Sequence, residues 1–201
     1  SFVKHTGMIS EKHIKYVLVF VLSIATLSGS LAQKFPSDKF QNLKIRNVGP
    51  ANMSGRITAI AAVADTPTKI IYIGAASGGV WKSENGGTAW ESIFDDNPTV
   101  NIGAIAVQQS NPSVVWVGTG EGNPRNSMNL GLGLFKSIDA GKTWIRVGLE
   151  NSKAIHRIIV DPTDGNTVYV GVMGDPFTPH TERGLYKTTD GGLTWKKILY
   201  T

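Results

Sequence analysis

The stretch "SIDAGKTW", Ser137 to Trp144, decides how this chain is read. An octapeptide of the same type, "SENGGTAW", runs from Ser83 to Trp90, and another, "TTDGGLTW", from Thr188 to Trp195. The three tryptophans stand 54 and 51 residues apart. The pattern is Ser/Thr-x-Asp/Asn-x-Gly-x-x-Trp, termed the box. Repetition at a fixed period of about fifty residues marks one supersecondary unit used several times.

Each box closes a longer unit. An apolar run comes first: Ile57–Val63, Ile102–Val107 and Ile155–Val160. A turn follows that contains Pro67, Pro112 or Pro162. A β-branched and aromatic run then ends at glycine: "IIYIG", "VVWVG" and "TVYVG". A loop of variable length leads to "GVWKS", "GLFKS" or "GLYKT", then the box, then a short strand after the tryptophan. Four short strands per unit in this period predict an all-β fold, a β-propeller fragment of about three four-stranded antiparallel blades. The continuously apolar first runs predict inner strands covered on both faces by neighbouring blades.

The box reads as the hairpin turn between the third and fourth strands. Asp139 and Asp190, or Asn85 in the first copy, are placed to accept backbone N–H groups inside the turn. Gly87, Gly141 and Gly192 permit positive φ, and Ser83, Ser137 and Thr188 supply a hydroxyl that ties the turn to itself. Trp90, Trp144 and Trp195 are expected to bury their rings against the next blade. A turn repeated in every unit cannot be a single active site, so these side chains are assigned to structure.

The box resembles the Asp-box, or BNR repeat, of sialidases, xyloglucan-degrading glycoside hydrolases, sortilin-type receptors and photosystem II assembly-factor propellers. "NVGPANMSGRITAI" (Asn47–Ile60), "YIGAASGGVWKSENGGTAW" (Tyr72–Trp90) and "VGTGEGNPRNS" (Val117–Ser127) are most similar to secreted bacterial propellers that resemble the sortilin N-terminal domain. The resemblance implies a closed ring of more blades than three, so the chain is expected to be the N-terminal part of a longer protein. In the xyloglucan-degrading family a catalytic aspartate lies in an Arg-Thr-Asp-x-Gly-Gly segment. Gly74-Ala75-Ala76-Ser77-Gly78-Gly79 matches it here, and Ala76 stands where that carboxylate would be. The arginine triad and tyrosine of sialidases have no matching set.

Composition sets the outer bounds. The 201 residues include no cysteine, which excludes disulfides, thiolate metal sites and a lipid-anchoring cysteine. The formal charge is +5, and outside residues 1–32 there are 17 basic and 14 acidic residues, scattered without a run. Nucleic-acid binding needs clustered phosphate contacts and is not expected. From Met8, a basic region (Lys12, His13, Lys15), twelve apolar residues (Tyr16–Leu27) and small residues up to Ala32 have the layout of a secretory signal peptide. Twelve residues of helix reach about 18 Å, short of the roughly 30 Å membrane core, so no stable membrane insertion is expected once the signal is removed. The expected division is therefore 1–32 as upstream residues plus signal, 33–50 as an extension, and 51–201 as blades. Leu43–Pro50 within the extension is read as a possible ring-closing strand. Localisation is expected to be secreted, periplasmic or cell-surface.

Chemistry is sought in the loops between second and third strands, which vary while the scaffold repeats. The two long ones, "GTGEGNPRNSMNLGLG" and "GVMGDPFTPHTERG", bring Glu121, Arg125, Asn126, Asp175, His180, Glu182 and Arg183, and Arg56 is expected on the same rim. Glu121, flanked by Gly120 and Gly122, is the one candidate acid, with Arg125 four residues on as a partner. His180 and Glu182 are too few for a metal site, and His156 is read as a hydrogen-bonded core histidine. Asp161-Pro162-Thr163-Asp164-Gly165 is read as a turn rather than a calcium loop. There is no phosphate-binding glycine loop and no Gly-x-Ser-x-Gly elbow. No cofactor or metal is implied. The reading is a non-catalytic binding or scaffold propeller that takes a protein, peptide or glycan. The alternative is a glycosidase whose remaining carboxylates lie in further blades.

Overall fold

The computed structural model describes residues 56–64, 67–123 and 128–200. The signal-type segment, Leu43–Pro50, Arg125 and Asn126 lie outside them. Blade 1 comprises β1 (Ile57–Ala62), β2 (Ile71–Ala75), β3 (Val80–Ser83) and β4 (Glu91–Ser92). Blade 2 comprises β5 (Ile102–Val107), β6 (Val115–Thr119), β7 (Leu134–Ser137) and β8 (Ile145–Arg146). Blade 3 comprises β9 (Ile155–Val160), β10 (Val168–Val172), β11 (Gly184–Thr188) and β12 (Lys196–Tyr200). Each is one four-stranded antiparallel meander in sequence order, as hairpin-linked runs of β-branched and aromatic residues require. This is the blade architecture of a β-propeller.

Inner strands stack face to face, β1 on β5 and β5 on β9. Glycine in the second strand makes room for the stack. A Cβ at Gly74 would stand 2.5 Å from Ile102 Cγ2 and 3.1 Å from Ile105 Cδ1. A Cβ at Gly118 would meet Ile155 Cγ2 at 2.4 Å and Ile158 Cδ1 at 3.3 Å in the same way. Two isoleucines three residues apart thus act as knobs for a glycine socket in the preceding blade. The apolar cores follow this seam. One joins Tyr72, Val80 and Phe94 of blade 1 to Ile102, Ile105 and Phe135 of blade 2. The other joins Trp116 and Leu134 to Ile155, Ile158 and Tyr186. Only β5 has the two-sided cover expected of all three inner strands. Ile57 and Ile60 of β1 are 49% and 70% exposed, and Ile159 of β9 is 62% exposed, because each lies on the side of its blade away from blade 2.

The boxes form the turns between third and fourth strands. In the second, the Ser137 hydroxyl donates to Asp139 Oδ1 at 2.7 Å and accepts the Gly141 amide at 2.8 Å. Asp139 Oδ1 accepts the Thr143 amide at 2.9 Å, and Oδ2 accepts the Thr143 hydroxyl at 2.6 Å. Thr188, Asp190, Gly192 and Thr194 repeat this set in blade 3. In blade 1 the Ser83 hydroxyl donates to Asn85 Oδ1 and accepts the Gly87 amide, and Asn85 Oδ1 accepts the Ala89 amide, but position 89 has no hydroxyl to add. The backbone passes through two consecutive positive-φ residues in every box, Gly86-Gly87, Ala140-Gly141 and Gly191-Gly192. Ala140 holds φ 59° with a Cβ, a conformation ordinarily left to glycine.

The tryptophans face the opposite way from the sequence expectation. Trp144 Nε1 donates to Ile93 O at 2.7 Å, and Trp195 Nε1 to Val147 O at 2.7 Å. The boxes of blades 2 and 3 therefore clasp the preceding blade, not the next. Ring contacts agree: Trp144 lies edge-on to Phe94 (5.1 Å between centroids), and Trp195 edge-on to Trp116 (6.3 Å).

The box carboxylates make folding sensitive to acid. Hydrogen bonds from the Thr143 hydroxyl and amide, and from the Ser137 hydroxyl, hold Asp139 down at about 2, and Thr188 and Thr194 lower Asp190 further. A carboxyl depressed on folding stabilises above its ordinary range and loses that contribution as pH falls through the folded value. Denaturant unfolding of the protein followed from pH 5 to pH 2 should show stability falling below about pH 4. Asp139→Asn should flatten that slope, and an unchanged slope would refute the assignment.

Candidate functional site

Among the described candidate residues, Glu121 is the buried acid. Gly120, at φ 88°, turns the chain out of β6, and Glu121 follows with no solvent exposure. Its amide donates to Asn129 O at 2.9 Å within the same loop. Its carboxylate is taken from blade 1: Arg56 Nε donates to Oε1 at 3.1 Å and an Arg56 terminal nitrogen to Oε2 at 2.6 Å. The Arg56 side chain is 42% exposed. This two-pronged pair satisfies both oxygens of a carboxylate that would otherwise be buried as a bare charge. The sequence offered Arg125 as the neighbour. The partner that engages is 65 residues away and adjacent only because the blades stack in register.

Backbone and amide contacts fix the rest of this rim. Asn129 Nδ2 donates to the Ser77 hydroxyl at 2.5 Å, tying the long loop of blade 2 to the short loop of blade 1. Asn101 Nδ2 donates to Leu130 O, and the Gly131 amide to Lys153 O at the entry to blade 3. Ala76 is buried, and its amide donates to Arg56 O at 2.9 Å. The Thr58 hydroxyl donates to Ile102 O at 2.7 Å, with Gly74 O also 3.0 Å away, stitching blades 1 and 2 at the same end.

The blade 3 residues organise their own loop. Arg183 donates from Nε to Met173 O at 2.8 Å and from a terminal nitrogen to Asp175 O at 2.7 Å. Glu182 Oε2 accepts the Tyr186 hydroxyl at 2.9 Å, which with burial pushes the phenol up to about 12. Asp175 accepts the Phe177 amide, and that bond lowers its pKa. His180 packs on Gly174, with its buried Nδ1 unpaired among the described residues. No hydrogen bond or ion pair joins His180, Glu182 or Arg183 to Glu121 among those residues. His156 departs from the expected core histidine. It is half-buried against Gly122, its Nδ1 has no partner among the described residues, and burial and Arg157 lower its pKa. The reason is the β-bulge in the β9–β10 pairing, which swings the residue out of the regular alternation. Asp161 accepts the Thr163 and Asp164 amides, and Asp164 the Asn166 amide and Thr167 hydroxyl, so both acids are used in one turn. No group of three or more metal-ligating side chains forms among the described residues.

The described rim offers amide and hydroxyl groups and the exposed side of one guanidinium. The single buried acid is fully engaged.

Comparisons with known proteins agree with the fold. No protein-family model matches the chain. Over 99 residues it is 36% identical to a probable oligoxyloglucan-reducing end-specific xyloglucanase of Neosartorya fischeri, covering 47% of this chain and 10% of that protein. It is 23% identical over 147 residues to the xyloglucanase Xgh74A of Acetivibrio thermocellus, covering 67% of this chain and 16% of that protein. Among solved structures, the GH74 enzyme of Niastella koreensis superposes with a TM-score of 0.54 at 23% identity, covering 71% of this chain and 21% of that one. The chain is thus similar to part of several xyloglucanases and spans a small fraction of their length.

Removal of the Arg56 guanidinium tests the site's geometry. Arg56→Ala should lower unfolding stability by about 3 kcal/mol, because a buried carboxylate is stranded, with the wet side of Arg56 keeping the loss at the low end. Glu121→Gln should cost less. Equal, negligible losses in urea titrations would show that the pair contributes nothing.

Proposed function

We propose that this chain forms part of an extracellular β-propeller that binds a neutral β-glucan-type polysaccharide on the loop rim around Arg56, Ser77, Asn101 and Asn129, without cleaving it. One observation carries this reading: both Glu121 oxygens are held by Arg56, so the rim's buried acid is committed to structure. Ala76, where the resemblance would put a catalytic carboxylate, supports it further. The polysaccharide class follows from the relatives, which are named as xyloglucanases. Those names and the Asp-box resemblance also favour the extracellular setting.

The second reading is a glycosidase, favoured by the same names. It requires a free carboxylate pair about 5–5.5 Å apart for retention or about 6.5–9.5 Å for inversion. Glu121 qualifies only if a bound sugar draws Arg56 away.

Affinity electrophoresis in gels containing xyloglucan, run with the protein at its natural length, should show retardation, and a parallel assay should find no new reducing ends. Release of reducing ends that Glu121→Gln abolishes would establish the glycosidase reading with Glu121 in it. Release that survives this change would place the acids elsewhere and equally overturn the binding-only proposal. Neither retardation nor release would overturn polysaccharide binding.

A further inference from the structure

The first box departs from the other two at the positions that decide whether its side-chain amide lasts. Asn85 stands where blades 2 and 3 have Asp139 and Asp190, and Asn85-Gly86 is the only asparagine–glycine pair in the 201 residues. An asparagine is lost when the next backbone nitrogen attacks its side-chain carbonyl carbon, and glycine, with no Cβ, leaves that approach open. Three features of the folded turn favour the attack. The attacking nitrogen is the least tightly held of the three: Gly86 N donates to Lys69 O at 3.2 Å, against 2.8 Å for Ala140 N to Ser113 O and 3.0 Å for Gly191 N to Asn166 O. The carbonyl is polarised, because Asn85 Oδ1 accepts the Ser83 hydroxyl at 3.0 Å and the Ala89 amide at 2.8 Å, and the same donors stabilise negative charge gathering on that oxygen. The leaving group is free. The Ala89 N–H can only donate, so it identifies the held atom as oxygen, and Nδ2 has no hydrogen bond among the described residues. In the other boxes the second side-chain atom is held by the Thr143 or Thr194 hydroxyl, and the matching residue here is Ala89. Asn85 and Gly86 are both exposed to water.

We infer that Asn85 is a site of spontaneous deamidation in the folded protein, and that the product is an aspartate that completes the first box. Gly86 N forms a bond to Asn85 Cγ, the Cγ–Nδ2 bond breaks, and Nδ2 leaves as ammonia with the proton given up by Gly86 N. The result is a cyclic imide. Water then adds at Cγ, the bond from Cγ to Gly86 N breaks, and a proton returns to Gly86 N. Opening at the backbone carbonyl instead would give isoaspartate, with one extra backbone atom between Ser83 and Gly87. The Ser83 hydroxyl spans that interval by accepting the Gly87 amide at 2.8 Å, so the turn selects the opening that keeps the backbone length. The new carboxylate retains the Ser83 and Ala89 donors as charge-assisted bonds, which are stronger than bonds to a neutral amide. Blade 1 thereby acquires the ionised acceptor that blades 2 and 3 encode directly.

Incubation of the folded protein, at its natural length and in mildly alkaline buffer, should convert Asn85 to an acid by peptide mass. An endoproteinase that cuts before aspartate but not before isoaspartate should then cleave ahead of position 85. Gly86→Ala is a control that the fold accepts, because Ala140 holds the matching place at φ 59° and a Cβ at Gly86 would lie 3.5 Å from Lys69 Cδ, an ordinary contact. This change should slow conversion about tenfold or more by crowding the attacking nitrogen. Ala89→Thr, which offers the free amide the hydroxyl of the other boxes, should slow conversion several-fold in the folded protein and leave the rate in urea unchanged. An amide that persists in the folded protein while it is lost in urea would overturn the inference. So would isoaspartate as the main product of the folded protein, or an Ala89→Thr variant that converts as fast as the parent.

Discussion

The indole N–H groups of Trp144 and Trp195, each donated to a backbone carbonyl of the preceding blade, are the contacts on which the fold turns. A four-stranded sheet with one apolar face on each side has no reason to stop at a defined distance from its neighbour. The glycine sockets set how closely inner strands approach, and the Trp144–Ile93 and Trp195–Val147 bonds set the outer edge. Two fixed points on each seam define the angle between blades. The box hydrogen bonds then hold the tryptophan at the one position from which it can reach. Blades that contact only their neighbours distribute stability along the array in this way.

The same constraint accounts for the site. Register between blades 1 and 2 brings Arg56, at the start of β1, over the end of β6, so Glu121 finds a cation across the seam. The loops on this rim are held by backbone carbonyls and amides, which lines it with neutral polar groups. Seam and site are one construction, and loosening Arg56 affects both.

Much of this was legible in the residues. The runs Ile102–Val107 and Ile155–Val160 coincide with inner strands because apolar continuity bounded by turn residues marks a buried strand. The box turn was readable because Ser, Asp and Gly each have a local, backbone-directed role. Direction was not: a periodic sequence does not say whether a tryptophan reaches forward or back. Partners across the seam were equally hidden, since Arg56 and Glu121 sit 65 residues apart and nothing local pairs them. Arg183 and Glu182 looked available in the sequence, but their partners are carbonyls and a Tyr186 hydroxyl that only the folded loop supplies.

Substituting Trp144 by Phe tests the central claim most directly, because it keeps an aromatic ring facing Phe94 and removes the N–H to Ile93 O. The account predicts a loss of unfolding free energy of about 1–2 kcal/mol in urea, from one stranded carbonyl at a seam. Trp81→Phe serves as a reference, since that indole donates to Gly78 O within its own blade and its loss leaves the seam intact. Trp144→Phe that is as stable as the parent, or that only matches Trp81→Phe in a protein whose blades separate no more readily, would contradict it.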